Sequence, residues 1–185
     1  MLLPGRLTAW KGQQAAISAL AQLPAEVLRG WTLVLAGDAQ GRFDYVSRLK
    51  AQISDAKLDE RVRIVGHCDD MPAAYALSDV VIAPSQEPEA FGRVAAEAGA
   101  LGKVAIVSDH GGQKEIVVDR ITGFRVPPGD IAALSAAFAR AMTLSDDDRN
   151  EMGSRAREHV MERFSTPALQ AATLDAYSQL LERPR

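Results

Sequence analysis

Val80-Val-Ile-Ala-Pro-Ser-Gln-Glu-Pro-Glu-Ala-Phe-Gly-Arg-Val-Ala-Ala-Glu97 reads as a strand, a turn and a helix start in immediate succession. Val80–Ala83 is an unbroken apolar run closed by Pro84 and Ser85, as expected of a strand covered on both faces. Phe91-Gly92 reads as the opening turn of the helix, with Phe91, Val94, Ala95 and Ala98 sharing one face. The same alternation extends outward in both directions. Short apolar runs at Leu2–Leu7, Thr32–Ala36, Val62–Val65, Val104–Val107 and Phe124–Val126 read as further strands. Between them Ala16, Ile17, Leu20 and Leu23 form one helical face, and Phe43, Val46, Leu49 and Ile53 another. Continuous strand hydrophobicity with intervening helices predicts an α/β fold: a doubly wound, Rossmann-like parallel sheet of about six strands.

After Pro127-Pro128-Gly129 the strand signals stop and three helices follow. Asp130 is the expected cap of the first, with Ile131, Leu134, Phe138 and Met142 facing inward, and Ser145 caps the second. Thr166-Pro167 opens the third. The predicted organisation is a Rossmann-like body over residues 1–144 with a C-terminal helical extension over 145–185. On the last helix Leu169, Ala172, Ala176 and Leu180 make one apolar stripe, and Leu174, Tyr177 and Leu181 a second beside it. One stripe is expected to pack on the body. The other is expected to be bare, to pair with a second copy, or to detach.

Composition narrows the function. The chain has 185 residues, 47% hydrophobic and 24% charged, with a formal net charge of −3. That balance suits a soluble globular protein and argues against general nucleic-acid binding. The single Cys68 excludes an internal disulfide, and His67, His110 and His159 are too scattered to give zinc-ligand spacing, so no metal ligand is assigned. No apolar run approaches the ~18 residues of a membrane span.

In open α/β sheets ligands bind beyond the carboxyl ends of the strands, so the residues after each strand carry the functional reading. Gly5 and Arg6 follow the first, and Lys11-Gly12 opens the next helix. Two cations there suit a diphosphate, or are routine charges on a solvated loop. Gly37-Asp38 after the second strand permits close approach of a base, or is a plain turn. Gly66-His67-Cys68-Asp69-Asp70 follows the third; His67 and Cys68 border a nucleobase or simply complete a loop, while Asp69 or Asp70 reads as a helix cap. After the fourth come Glu89 and Glu97, spaced i, i+8. Eight helical residues rise roughly 12 Å, and the helix start between them suits an anion. A ligand with hydroxyls at both ends and phosphate between, such as a sugar nucleotide, matches that layout. Asp146-Asp147-Asp148 is read as a solvated helix start and Gly102 as a helix C-cap.

Taken together, Gly5–Gly12 (Gly-Arg-Leu-x-x-x-Lys-Gly), Leu33–Asp38, Pro84–Gly92 (Pro-Ser-x-x-x-Glu-x-Phe-Gly), the Glu-x7-Glu pair, Ser108–Glu115 and Thr122–Val126 resemble the donor domain of retaining glycosyltransferases with the GT-B fold, the glycogen-synthase-like and sucrose-synthase-like group. Within it, Glu87–Val94 looks like bacterial enzymes of lipopolysaccharide or other surface-glycan synthesis. The resemblance implies metal-independent transfer of a sugar to a hydroxyl acceptor, with a UDP- or GDP-sugar as substrate and no cofactor. Arg6 and Lys11 would hold the diphosphate and Glu89 the donor-sugar hydroxyls, these three being the catalytic candidates. Gly5, Gly37, His67, Cys68, Phe91, Gly92, Arg93, Val94 and Glu97 would line the donor site, Glu97 at the ribose. Ala90 stands where the family commonly has Gly, and Arg93 where many members carry an apolar residue.

The resemblance also implies a partner domain. An N-terminal acceptor-binding domain is expected to complete the cleft, so this chain alone is expected to bind donor without turning it over. Cytoplasmic location, peripheral to the inner face of the membrane, is expected, as is self-association through the last helix. A non-catalytic nucleotide-sugar-binding module and a sugar-nucleotide epimerase share these features and are the rival readings. A receiver-like signalling domain lacks a purpose for Glu89 and Glu97.

Overall fold

The computed structural model describes residues 1–182. Six strands, β1 (Leu2–Pro4), β2 (Leu33–Ala36), β3 (Val62–Gly66), β4 (Val80–Ala83), β5 (Val104–Ser108) and β6 (Gly123–Val126), form one sheet in the order β3-β2-β1-β4-β5-β6. Every pairing is parallel. The order reverses between β1 and β4, so the loops leaving these two strands diverge to opposite faces and open a crevice at their carboxyl ends. The central strands β4 and β5 are buried at every residue, whereas edge strand β3 alternates. That difference is what two-sided and one-sided cover produce.

Among the described residues there are eight α-helices, α1 (Gln13–Ala21), α2 (Phe43–Asp55), α3 (Met71–Ala76), α4 (Arg93–Ala100), α5 (Gln113–Ile116), α6 (Ile131–Thr143), α7 (Asp146–Arg163) and α8 (Thr166–Glu182), of which α8 does not cover the sheet. On one face Ile17 and Leu20 of α1, Leu49 and Ile53 of α2, and Leu134 and Phe138 of α6 pack on Leu3, Leu35, Ile82 and Ile106. On the other, Tyr75 of α3, Ala95 and Ala98 of α4, Ile116 of α5 and Val160 of α7 pack on Leu2, Val81, Ala105 and Val107.

Several local expectations are corrected. The first strand stops at Pro4, where Gly5 with φ 143 bends the chain, although its N–H still reaches the Ala36 carbonyl at 2.9 Å. Phe43 opens α2 but faces solvent, while Tyr45, Leu49 and Ile53 carry the buried face. Phe91 lies outside α4. Gly92 takes the N-cap with φ 90, and only Arg93 onward is helical. Glu89 is therefore a loop residue, and helix rise does not set its distance from Glu97. On α8 neither apolar stripe is packed: Leu169, Leu174, Tyr177, Leu180 and Leu181 are all exposed. The helix before it, α7, lies against α4 with Gly153, Ala156 and Val160 buried.

The caps agree with their residue types. Asp70 and not Asp69 caps α3, accepting from the Ala73 N–H at 3.0 Å. Ser145 caps α7. Gly102, with φ 66, ends α4. Asp130 Oδ1 accepts from the Ala133 N–H at 2.9 Å. Because α6 seats Phe138 in the core, Asp130→Ala should cost about 1 kcal/mol. That corresponds to a fall in melting temperature of roughly 2–4 °C for a domain of this size, measurable by calorimetry.

Candidate functional site

A cleft of about 280 Å³ sits at the β1/β4 crevice, lined by Gly5, Arg6, Gly37, His67, Cys68, Arg93, Val94 and Glu97 together with Asp38 and Tyr75. Most of the sequence-predicted site residues thus meet at one place, although they leave four different strands. Lys11, Glu89, Phe91 and Gly92 do not line this cleft. A second cleft, about 390 Å³, lies beside Met1, Trp31 and Asp79 at the amino-terminal ends of the strands. It holds none of the predicted site residues and is at the wrong end of a parallel sheet for a ligand.

Lys11 and Glu89 form an ion pair, Nζ to Oε1 at 2.8 Å, with side chains only 14% and 11% exposed. Lys11 reaches it from the 3-10 turn Ala9–Lys11, its stem passing 3.5 Å from where a Cβ on Gly5 would lie. The same Glu89 oxygen also accepts a hydrogen bond from Ser85 Oγ. Oε1 is thus doubly engaged and Oε2 has no partner among the described residues. Ser85 is fully buried and receives a long bond from Gln113 Nε2 at 3.4 Å, while His110 Nε2 lies 2.9 Å from its carbonyl. The Gly112 N–H donates to the Glu89 carbonyl at 2.8 Å. The loop after β5 therefore clamps the loop that carries Glu89.

Trp10 joins the two cations. Lys11 Nζ stands 4.3 Å from its ring centroid and the Arg6 guanidinium 5.9 Å. Each contact is a cation–π attraction. The Trp10 carbonyl accepts from the Gln86 N–H at 2.7 Å, tying the β1 and β4 loops together. Buried Gln13 donates to the Arg6 carbonyl at 2.9 Å and accepts from Tyr45 Oη at 3.0 Å. Burial pushes the Tyr45 phenol up to about 12, so it stays a donor. The Arg6 side chain itself is exposed and its guanidinium hydrogen-bonds to no group among the described residues.

Gly37 is needed for steric reasons: a Cβ there would overlap the Gly5 carbonyl. Gly92 combines left-handed backbone with a Cβ position 2.7 Å from Gln113 Cγ. Both tolerate only glycine. Backbone N–H groups of Phe91, Gly92, Arg93 and Val94 have no acceptor among the described residues, as expected ahead of a helix. The Phe91 ring turns away from the cleft to meet Phe164 edge-on, centroids 6.2 Å apart. At the other side Glu97 accepts from Tyr75 Oη at 2.7 Å and from Arg93 Nε at 3.0 Å. His67 is an exposed loop residue paired with Asp69 at 2.9 Å.

Ser85, His110, Gln113, Trp10, Gln13 and Tyr75 were not singled out from sequence. Ser85 and His110 lie inside motifs quoted above; Tyr75 and Gln13 carry no local signal. Among the described residues no His/Cys/Asp/Glu group could hold a metal ion, and no helix is long and apolar enough to cross a membrane.

The arrangement has known counterparts. The pattern of the family described as "Glycosyl transferases group 1" matches residues 1–159. The D-inositol 3-phosphate glycosyltransferase of Xylanimonas cellulosilytica is 33% identical over 185 residues, covering 99% of this chain and 43% of that protein. The lipopolysaccharide 1,2-N-acetylglucosaminetransferase of Salmonella typhimurium is 34% identical over 177 residues, covering 89% and 44%. Among solved structures, Anabaena Alr3699/HepE in complex with UDP and glucose superposes with a TM-score of 0.85 at 31% identity, over 96% of this chain and 48% of that one. The chain spans somewhat less than half the length of each of these three relatives. With a family pattern covering most of its residues and relatives more than 30% identical along most of its length, the chain belongs to the glycosyl transferases of group 1.

Proposed function

We propose that this chain is the nucleotide-sugar-binding half of a retaining glycosyltransferase that moves a sugar to a hydroxyl of a surface glycan or lipopolysaccharide without a metal ion. The observation that supports this most is the juxtaposition of the Glu97 cleft with the Lys11–Glu89–Ser85 cluster at the sheet's switch point. A diphosphate bridging the two meets Arg6, Lys11 and the free N–H groups at the start of α4. The nucleoside lies toward Gly37, His67 and Cys68 with its ribose at Glu97. The donor sugar lies toward Glu89, whose free Oε2 accepts a hydroxyl.

In the reaction, negative charge grows on the departing diphosphate. Arg6 and Lys11 are already oriented there by Trp10 and Glu89, so they stabilise that charge with little rearrangement. Glu89 is committed to Lys11 and Ser85 on one oxygen, which suits holding the sugar rather than attacking it. Front-side delivery of the acceptor hydroxyl with retained configuration belongs to the same proposal and is compatible with a Glu89 that does not attack. The similarity to UDP-bound Anabaena HepE favours a UDP-sugar, with a GDP-sugar the other candidate.

The acceptor site and turnover are assigned to a further N-terminal domain, as the relatives' greater length supports. The body 1–144 with its extension 145–185 supplies the donor. That acceptor domain is assigned the bare face of α8, which in its absence pairs with a second copy. A cytoplasmic position at the inner membrane face belongs to the same proposal.

Titration calorimetry of this chain with UDP, GDP and ADP, with and without chelator, tests the reading. Weak binding of one diphosphate, unchanged by chelator, is expected, since half of the cleft's contacts are missing. Strict dependence on magnesium would contradict the charge assignment to Arg6 and Lys11.

A further inference from the structure

Glu97 is held on both carboxylate oxygens, and the two holds differ in kind. Tyr75 Oη donates to Oε2 at 2.7 Å from α3, and Arg93 Nε donates to Oε1 at 3.0 Å from one turn back on α4. Tyr75 is only 1% exposed, and its ring is wedged in the core between α3 and the sheet. Ser78 Oγ donates to the Tyr75 carbonyl at 2.9 Å and closes the end of its helix. Burial, and then the bond to Glu97, push the phenol's pKa up, so its proton stays on and points at Oε2. The Arg93 side chain, by contrast, is 84% exposed. An ion pair of that kind is screened and easily exchanged.

We infer that Tyr75 is a positioning residue that fixes the Glu97 carboxylate for the vicinal hydroxyls of a ribose, and that Arg93 is the partner displaced when the ribose binds. The inference rests on the assignment of the ribose to Glu97. A glutamate on a helix surface ordinarily retains rotamer freedom, which a ligand must then remove. Here folding has removed it, because the phenol cannot move without opening the core. A carboxylate oxygen accepts more than one hydrogen bond. Oε2 therefore keeps room for one ribose hydroxyl while bonded to Tyr75, and Oε1 receives the other once Arg93 leaves. The released guanidinium remains at the start of α4, beside the free N–H groups assigned to the diphosphate. A carboxylate set in this way distinguishes a diol from a single hydroxyl.

The test compares UDP with 2′-deoxy-UDP, and GDP with 2′-deoxy-GDP, by calorimetry on the chain and on Tyr75→Phe, Glu97→Gln and Glu97→Asp. Wild type is expected to prefer the ribonucleotide about tenfold or more, the range of one charge-assisted hydrogen bond. Glu97→Gln should abolish the preference. Tyr75→Phe keeps the ring and its packing, and should reduce the preference to about threefold or less while leaving affinity for inorganic pyrophosphate unchanged. Glu97→Asp keeps the charge but draws the carboxylate back from the phenol, so it should lose the preference as well and covers the case of an unstable Tyr75→Phe. If Glu97→Gln loses the preference while Tyr75→Phe or Glu97→Asp keeps it, the positioning role is overturned and the ribose assignment stands. If wild type shows no preference, or binds none of the nucleotides, the ribose assignment fails and takes the inference with it.

Discussion

Lys11→Met is expected to lose most of the affinity for a nucleoside diphosphate and to lower the melting temperature, and adding Glu89→Gln should restore the second without the first. The Lys11–Glu89 pair is largely shielded, with the two side chains 14% and 11% exposed. Removing one member of a buried pair strands the other charge, at a cost of about 3–5 kcal/mol when burial is complete. Both groups here keep some water, so about 2 kcal/mol is the reasonable figure, or roughly 4–8 °C in a domain of this size. The double variant has no stranded charge, and Ser85 can still hydrogen-bond to the glutamine. Phosphate binding behaves differently, because it depends on the ammonium. Its loss is worth about 1.5–3 kcal/mol, or roughly 10- to 100-fold in Kd. Glu89→Gln alone frees Lys11 from a competing anion. Diphosphate affinity should then hold or rise while affinity for the nucleotide-sugar falls. Arg6→Ala offers the contrast: its exposed side chain makes only a 5.9 Å cation–π contact with Trp10, so diphosphate binding should weaken with little loss of stability. Thermal melts and titration calorimetry on these variants decide the matter. If the double variant recovers both stability and binding, Lys11 is a structural residue and the diphosphate lies elsewhere.

How far the sequence alone reached is explained by the range of each interaction. Buried strands announce themselves locally. Val80–Ala83 and Val104–Val107 are covered on both faces and need only their own apolar runs to be read. Caps are local too, as at Asp70, Asp130 and Ser145. Periodicity places the start of α4 two residues too early. Phe91 fits a helical period, but Gly92 takes a left-handed conformation that no periodicity reveals. The polar network of the site was mostly illegible because its bonds join distant positions. Lys11 and Glu89 are 78 residues apart, Gln13 and Tyr45 are 32, Ser85 and Gln113 are 28, and Tyr75 and Glu97 are 22. Nothing in the surroundings of Tyr75 distinguishes it from an ordinary core aromatic. Only the sheet order, which sets α3 beside α4, brings its hydroxyl to a carboxylate.

The last two helices divide on the same principle, and here the largest stability effect is expected. Gly153 of α7 lies so close to Gly102 that a Cβ would overlap the Gly102 carbonyl, and a Cβ on Gly99 would reach 2.7 Å from Val160 Cγ2. The α4–α7 interface is thus built on backbone contact and has no room to give. Gly153→Val should cost about 3 kcal/mol or more by overpacking, a fall of roughly 6–12 °C. Because Phe164 at the end of α7 supports Phe91, the same substitution should also loosen the loop that carries Glu89. On α8 no side chain from Leu169 to Leu181 is buried. Ending the chain after Ser165 should therefore leave both the melting temperature and nucleotide affinity within error. What it should change is association. Leu174, Tyr177 and Leu181 form an exposed apolar stripe, which under the proposed self-association draws a second copy in water. Sedimentation of the intact chain should show a concentration-dependent dimer, lost on truncation and in Leu174→Gln/Leu181→Gln. A drop in melting temperature on truncation as large as that of Gly153→Val would mean that α8 packs on the body after all. An intact chain that stays monomeric at high concentration would mean that its stripe attracts no second copy.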